Sequence, residues 1–171
     1  MSTIGTAGWR LRGPWRKAVL VVHIVSVGAW IGIDVVMAIF VFTALLTKND
    51  PIKALCYQAL DVFVVWPLVG AGLVCLASGV VLGLGSKYGL VRFWWVAIKL
   101  VLNIMLTSLA LLVLRVGIPQ IAEDGQRLAA GESVSTTAGD LVFPPIVSPL
   151  ALLAAVLLSV FKPWGRLRRN R

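Results

Sequence analysis

The sequence predicts an all-α membrane protein, an antiparallel bundle of four transmembrane helices. Of its 171 residues, 59% are hydrophobic and 13% are charged, whereas a soluble domain carries about 25% charged residues. A helix crosses the hydrocarbon core with about 20 apolar residues, and four blocks are long enough: residues 18–46, 60–84, 93–114 and 141–161. They occupy nearly the whole chain, so we expect one domain over residues 1–171.

The charged residues behind the net charge of +9 are unevenly distributed between the connections on the two sides of the predicted bundle. Basic residues gather before the first block, between the second and third, and in the tail at 162–171, whereas acidic residues concentrate on the other connections. The positive-inside rule then places both termini in the cytoplasm and the chain in the cytoplasmic membrane. We therefore expect the lipid bilayer, and no nucleic acid, as the partner of these charges.

The first block is expected to be a retained helix, because a cleaved signal has an apolar region of only about 7 to 15 residues. At about 100° per residue, one stripe of this helix carries most of its polar groups. The stripe consists of His23, Ser26, Trp30, Asp34 and Met37. We expect it to face the interior of the bundle.

Gly28 and Gly32 form a GxxxG pair on a different part of the same helix. Such pairs let another helix approach closely. We interpret this pair as packing within the bundle rather than as a dimer site. A homo-oligomer or a partner membrane subunit stays an open alternative.

The second block carries Pro67, which predicts a bend near residues 64–68 because proline frees a backbone carbonyl. Cys56 and Cys75 are the only cysteines. On one helix they would lie about 28 Å apart at about 1.5 Å per residue, which is too far for a disulfide. We expect both to be packing residues.

The third block opens with Phe93, Trp94 and Trp95, which suit the membrane interface. Lys99 and Asn103 follow one turn apart, on one face. The polar stretch at 117–140 predicts an external loop. Its part at 119–130 is mildly amphipathic, so it either continues the third helix or lies on the membrane surface.

Depth sorts the embedded polar residues into two layers. The first and third helices run in the same direction, so residues equally far from their cytoplasmic ends lie at similar depth. The inner layer is predicted to contain His23, Lys99 and Asn103. The outer layer is predicted to contain Asp34, Asp61 and Arg115.

For the outer layer we keep two interpretations. One is a neutralising ion pair or triad, since arginine pairs well with planar carboxylates. The other is a proton or cation site, since ionisable groups inside a membrane mark ion pathways.

For the inner layer two interpretations also remain, because two basic groups at one depth repel each other. His23 is satisfied by a hydroxyl or carbonyl while Lys99 extends to the interface. Alternatively, His23 is the axial ligand of a haem or porphyrin and Lys99 holds a propionate, with Met37, Met105 or an open position completing the iron. A copper site from His23 and methionines has little support from spacing.

Three segments carry a resemblance to known proteins. They are His23 with Gly28-Ala-Trp-Ile-Gly32, then Trp95-Val-Ala-Ile-Lys99-Leu, and Ser159-Val-Phe-Lys-Pro-Trp-Gly-Arg166. Together they resemble an uncharacterised family of four-helix bacterial integral membrane proteins, a domain of unknown function. The resemblance implies the fold and no activity.

The histidine in helix one and the Trp-x-x-x-Lys-Leu pattern in helix three are also similar to two larger groups. These are the copper-resistance membrane proteins and the four-helix membrane form of protoporphyrinogen oxidase. The similarity implies that His23 and Lys99 are the positions of interest. This chain departs from those groups in having a single histidine.

The sequence contains no nucleotide-binding loop, nucleophile with a base, or metal-ligand cluster, so it favours a non-enzymatic protein and leaves an enzyme open. Two hypotheses follow. The first is a non-enzymatic membrane component, such as an accessory subunit or a small-solute or ion permease. The second is a haem- or porphyrin-binding redox protein that uses His23 and Lys99.

Overall fold

The computed structural model describes residues 13–86, 90, 93–134 and 138–161. They form four long helices, α1 (Gly13–Leu46), α2 (Asp50–Leu84), α3 (Trp94–Ala129) and α4 (Pro144–Phe161), each long and apolar enough to cross a membrane. A short 3-10 helix, Ala138–Val142, precedes α4. The predicted all-α four-helix bundle is confirmed, whereas the predicted tail at 162–171 lies outside the described residues.

The helices pack in chain order around the bundle. α1 contacts α2 along both halves of α2, α2 contacts α3 in the same way, and α4 packs against α1 and the first half of α3. The end at which α1 begins and α4 ends is called the terminal end, and the opposite one the far end. The core contains Trp30, Met37, Leu60, Val64 and Ile118, all at most 1% exposed.

The second helix begins earlier than the apolar block at 60–84 predicts. The side chain of Asn49 accepts a hydrogen bond from the Ile52 amide at 3.2 Å, and Pro51 occupies the first turn. Both features are typical of a helix start. Because residues 50–60 are less apolar than a membrane span, hydropathy alone does not include them in the helix.

The third helix extends to Ala129, so the predicted external loop at 117–140 is wrong for its first half. Of the two interpretations of residues 119–130, continuation of the third helix is the correct one. Gly131 lies just beyond the end of the helix, and its φ of 85° favours glycine. The amphipathic stretch is helical because it packs against the first half of α2.

Both long central helices contain a wider π turn, Asp61–Val65 in α2 and Ala110–Leu114 in α3. The turn in α2 ends two residues before Pro67, at the place where the sequence predicts a bend. Pro67 has no N–H for the carbonyl of Phe63, so the regular hydrogen-bond ladder is interrupted there.

Two glycines mark the closest approaches between helices. A Cβ at Gly125 would lie 2.9 Å from the Ala54 carbonyl oxygen, and one at Gly72 would lie 2.9 Å from Thr107 Oγ1. By contrast, a Cβ at Gly28 or Gly32 would meet nothing within 4 Å. The interpretation of the GxxxG pair as packing within the bundle is therefore wrong, because the pair lies on the outer surface of α1.

Candidate functional site: two intramembrane polar clusters

The polar stripe of α1 faces the bundle, as its periodicity predicts. Ser26, Trp30, Asp34 and Met37 are buried, and His23 is half-buried. Their partners come from α2 and α4 and form two clusters, one nearer each end of the bundle.

The carboxyl cluster consists of Asp34, Ser148 and Trp30. Trp30 Nε1 donates to Ser148 Oγ at 3.0 Å, and Ser148 Oγ donates to Asp34 Oδ2 at 2.7 Å. An indole N–H can only donate, so the single Ser148 proton is directed to Asp34. A proton held by Asp34 itself therefore belongs on its other oxygen, Oδ1.

Asp34 Oδ1 is the unusual atom of this cluster. The Asp34 side chain is 1% exposed, and Oδ1 is buried with no hydrogen-bond partner among the described residues. A buried polar atom left unpaired costs about 1–3 kcal/mol. Such an atom calls for an explanation in terms of function or an absent ligand.

The predicted outer layer of Asp34, Asp61 and Arg115 does not assemble. Arg115 is exposed, with its guanidinium carbon 5.1 Å from the centre of the Trp66 ring. Within the described part of the chain, neither aspartate forms an ion pair with Arg115. The reason is geometric: Asp34 points toward α4, whereas Arg115 lies over α2.

The histidine cluster consists of His23, Ser78, Cys75, Asn103 and Thr107. His23 Nδ1 lies 3.1 Å from the Cys75 carbonyl oxygen and 3.0 Å from Ser78 Oγ. Ser78 Oγ itself donates to the Val74 carbonyl at 2.6 Å. Because a carbonyl only accepts, Nδ1 carries a proton and donates it, and in the neutral imidazole Nε2 then holds the lone pair.

His23 Nε2 takes part in no hydrogen bond of the described residues, and it is not among their buried unpaired atoms. The ring is thus held by one nitrogen and presents the other. This is the arrangement in which a histidine binds a metal or a haem iron.

The histidine cluster continues into α3. Asn103 Nδ2 donates to Cys75 Sγ at 3.0 Å, and Thr107 Oγ1 donates to Asn103 Oδ1 at 3.4 Å. Thr107 and the Trp30 ring both approach the same position, Gly72. Polar side chains therefore lead from His23 to the neighbourhood of the carboxyl cluster.

Lys99 is oriented toward α4. Its Nζ donates to Ser159 Oγ at 2.8 Å and lies 4.6 Å from the centre of the Trp95 ring. The predicted inner layer is thus assembled in part: His23 and Asn103 meet at Cys75, while Lys99 contacts the next helix.

Sequence reasoning missed Ser148 and Cys75. Serine and cysteine are common in apolar helices, so neither residue stands out by charge. The spacing of Gly72, Cys75 and Gly79 at i, i+3 and i+7 is a signal that could have found Cys75, since it places the thiol on a small-residue face of α2. A Cβ at Gly79 would lie 3.2 Å from His23 Cε1, so His23 packs against the same face.

The methionines do not complete an iron site with His23. Met105 is 48% exposed on the outer surface of α3. Met37 lies about 21 Å from His23 along α1, at about 1.5 Å per residue. No group of three His, Cys, Asp or Glu side chains suited to a metal ion occurs among the described residues. Among the described residues, His23 would be the one protein ligand of a metal or haem held here.

The fold and the buried clusters define a multi-pass integral membrane protein with ionisable groups inside its bundle. No family, curated protein or solved structure matches the chain. The resemblances to the four-helix bacterial family, to the copper-resistance proteins and to the membrane protoporphyrinogen oxidase therefore stay predictions.

Proposed function

We propose that this protein is a non-enzymatic component of the cytoplasmic membrane that binds a proton or small cation at Asp34 and passes it across the bilayer. The observation that carries the proposal is Asp34 Oδ1, a buried carboxyl oxygen with no partner among the described residues. A carboxyl group costs about 2.5–3.5 kcal/mol near the bilayer centre. A site for a proton or cation accounts for that cost.

The neighbouring side chains support this role. Ser148 fixes Oδ2 and leaves Oδ1 for exchange. Asn103 and Thr107 supply further donors and acceptors between Asp34 and His23. Chains of such groups are typical of proton relays in membrane proteins.

The proposed orientation has both termini in the cytoplasm. Described residues at the far end include four acidic and three basic side chains: Asp50, Glu123, Asp124 and Glu132, with Lys48, Lys53 and Arg127. The far end is thus close to neutral, whereas the sequence beyond the terminal end is strongly basic, and the positive-inside rule assigns the basic end to the cytoplasm.

Flux measurements in proteoliposomes test the proposal. A potassium diffusion potential drives protons inward, and an enclosed pH-sensitive dye reports them. We expect Asp34→Asn to lower the protein-dependent flux at least about tenfold, because the amide cannot exchange a proton at Oδ1. Asp61→Asn is the matched control, since Asp61 is half-buried and forms no ion pair with the described residues. The same vesicles are assayed for uptake of radioactive sodium, and the proposal is overturned if wild type and Asp34→Asn show equal flux of both ions.

A second candidate function is supported by His23. Its Nδ1 is held by Ser78 and the Cys75 carbonyl, and its Nε2 is available. These residues fit a haem or porphyrin with one protein ligand. When bound, its iron would supply redox chemistry. Lys99 would hold a propionate only by exchanging its bond to Ser159.

Absorption spectroscopy separates this candidate from the first. The protein is purified from haem-supplemented cells in mild detergent, and iron is measured alongside the spectrum. A Soret band that is lost in His23→Ala and kept in Ser26→Ala supports haem binding. A colourless, iron-free wild-type protein removes this candidate and leaves the Asp34 proposal untouched.

A further inference from the structure

A groove of about 680 Å³ runs between α1 and α4 toward the far end of the bundle. Its size is within the range of about 300–1,000 Å³ that is typical of small-molecule sites. Two wall residues, Val35 and Ile39, are 53% and 58% exposed, so the groove opens sideways to the lipid. The lining is mostly apolar: Asp34, Val35, Ala38, Ile39, Phe42, Thr43, Leu46, Thr47, Pro145 and Pro149.

Among the residues that line this groove, Asp34 is the only Asp, Glu, Lys or Arg. Its Oδ2 is taken by Ser148, and Oδ1 is buried with no partner among the described residues. The groove is therefore lined by one carboxyl residue, which has an unpaired oxygen, among apolar side chains that are open to lipid.

Two prolines of α4 also line the groove. Pro149 has no N–H to donate to the carbonyl of Pro145, which lies one turn earlier in α4. Pro145 and Pro149 both line the groove. The α4 side of the groove is therefore formed by a part of the helix that lacks one regular backbone hydrogen bond.

We infer that this groove binds a lipophilic amine, a molecule with an apolar body and one ammonium group, that reaches Asp34 from the bilayer. The inference rests on the proposed function, because it names the class of cation that Asp34 takes. An ammonium group brings three N–H donors and a positive charge, whereas an alcohol brings one donor and no charge. An acid or ether brings only further acceptors to a site whose one charged group is a carboxylate.

Two probes with the same cage, 1-aminoadamantane and 1-adamantanol, test the headgroup. Binding of each radiolabelled probe to the protein in nanodiscs is measured after subtraction of empty nanodiscs. We expect the amine to bind at least about tenfold more tightly than the alcohol, and Asp34→Asn to remove that preference, because a charge-assisted hydrogen bond is lost.

Three further variants locate the site and protect the test against misfolding. Ala38→Trp, which places a ring in the groove, should weaken binding of both probes at least about tenfold. Asp61→Asn should leave binding unchanged, since Asp61 does not line the groove. Gly32→Trp adds the same ring to an open surface of α1, where a Cβ meets nothing within 4 Å, and should also leave binding unchanged.

The inference is overturned if wild type and Asp34→Asn bind the amine equally, or if Ala38→Trp does not weaken binding. Proton flux measured without any amine distinguishes this result from failure of the proposed function. If proton flux depends on Asp34 but the amine does not bind, the proposed function holds and the inference about the groove is wrong. If the amine binds at Asp34 but no flux is measured, the groove is an amine-binding site and the proposed passage of cations is wrong.

Discussion

The hydrogen bonds around Asp34 run in one direction, because Trp30 can donate and cannot accept. Trp30 donates to Ser148, and Ser148 donates to Asp34 Oδ2. Ser148 is thus the residue that satisfies two buried groups on another helix at once. At the scale of single residues, it is the contact on which the geometry of the carboxyl cluster depends most.

Ser148→Ala is expected to destabilise the protein by about 1–3 kcal/mol, since it leaves the Trp30 N–H and the Asp34 carboxyl buried without partners. The measurement is thermal unfolding of the detergent-solubilised protein, followed by circular dichroism. Ser26→Ala is a matched control. Ser26 is also buried, but it donates to the His23 carbonyl of its own helix at 2.8 Å, and its contact with α2 is to the Cys75 thiol, a weak hydrogen-bonding partner.

We expect the control to cost less than about 0.5 kcal/mol, because that carbonyl keeps its place in the helical ladder. If both variants unfold at the wild-type temperature, the Ser148 bridge does not hold α1 to α4.

At the scale of the helices, α2 and α3 are longer than a membrane requires. Each has about 35 residues, which corresponds to about 52 Å, whereas the hydrocarbon core is about 30 Å thick. Their far-end halves pack against each other, and Gly125 of α3 lies against Ala54 and Tyr57 of α2. The pair forms an antiparallel arrangement at the far end, against which α1 also packs.

The sequence predicts the membrane-crossing parts of these helices and not their extensions. Hydropathy reports which residues prefer lipid, so the apolar blocks at 60–84 and 93–114 are found. The extensions form because small residues allow close packing between two helices that are distant in sequence. The amphipathic pattern at 119–130 indicates a helix, but a single sequence does not show what that helix packs against.

Gly125→Ala is expected to destabilise this antiparallel arrangement by about 1–3 kcal/mol. The added Cβ would lie 2.9 Å from the Ala54 carbonyl oxygen and 2.9 Å from Tyr57 Cβ, and a backbone oxygen cannot move aside without shifting α2. Limited proteolysis and thermal unfolding both report the change. Gly117→Ala is the control in the same helix, because its Cβ meets nothing within 4 Å.

The control should be neutral or slightly stabilising, by about 0.5–1 kcal/mol, since alanine favours helix over glycine. Equal unfolding temperatures for the two variants would show that the close approach at Gly125 does not stabilise this arrangement.

At the scale of the whole molecule, the sequence predicts the class and much of the site. His23 and Asp34 are identified because ionisable groups are rare in apolar blocks, and the stripe of α1 is confirmed because the helical period is fixed. The partners Ser148 and Cys75 escape prediction because they depend on which helices are neighbours. The predicted pairing of Arg115 with Asp34 is wrong for the same reason. Two side chains at similar depth in the membrane can point toward different helices.

The orientation of the bundle is the last property that the charge pattern predicts. Ser133 is exposed beyond the end of α3, so a cysteine there should react with a membrane-impermeant maleimide in intact cells. A cysteine at Asn170, in the basic tail, should react only after the membrane is permeabilised, because the positive-inside rule places the tail in the cytoplasm.

The natural cysteines do not confuse this measurement, since Cys56 and Cys75 are both buried. The unmodified protein is therefore its own control and should stay unlabelled. If position 170 is labelled in intact cells and position 133 is not, the bundle has the opposite orientation in the membrane. The Asp34 groove would then open near the cytoplasmic face of the membrane, and an amine would approach it from the inner leaflet.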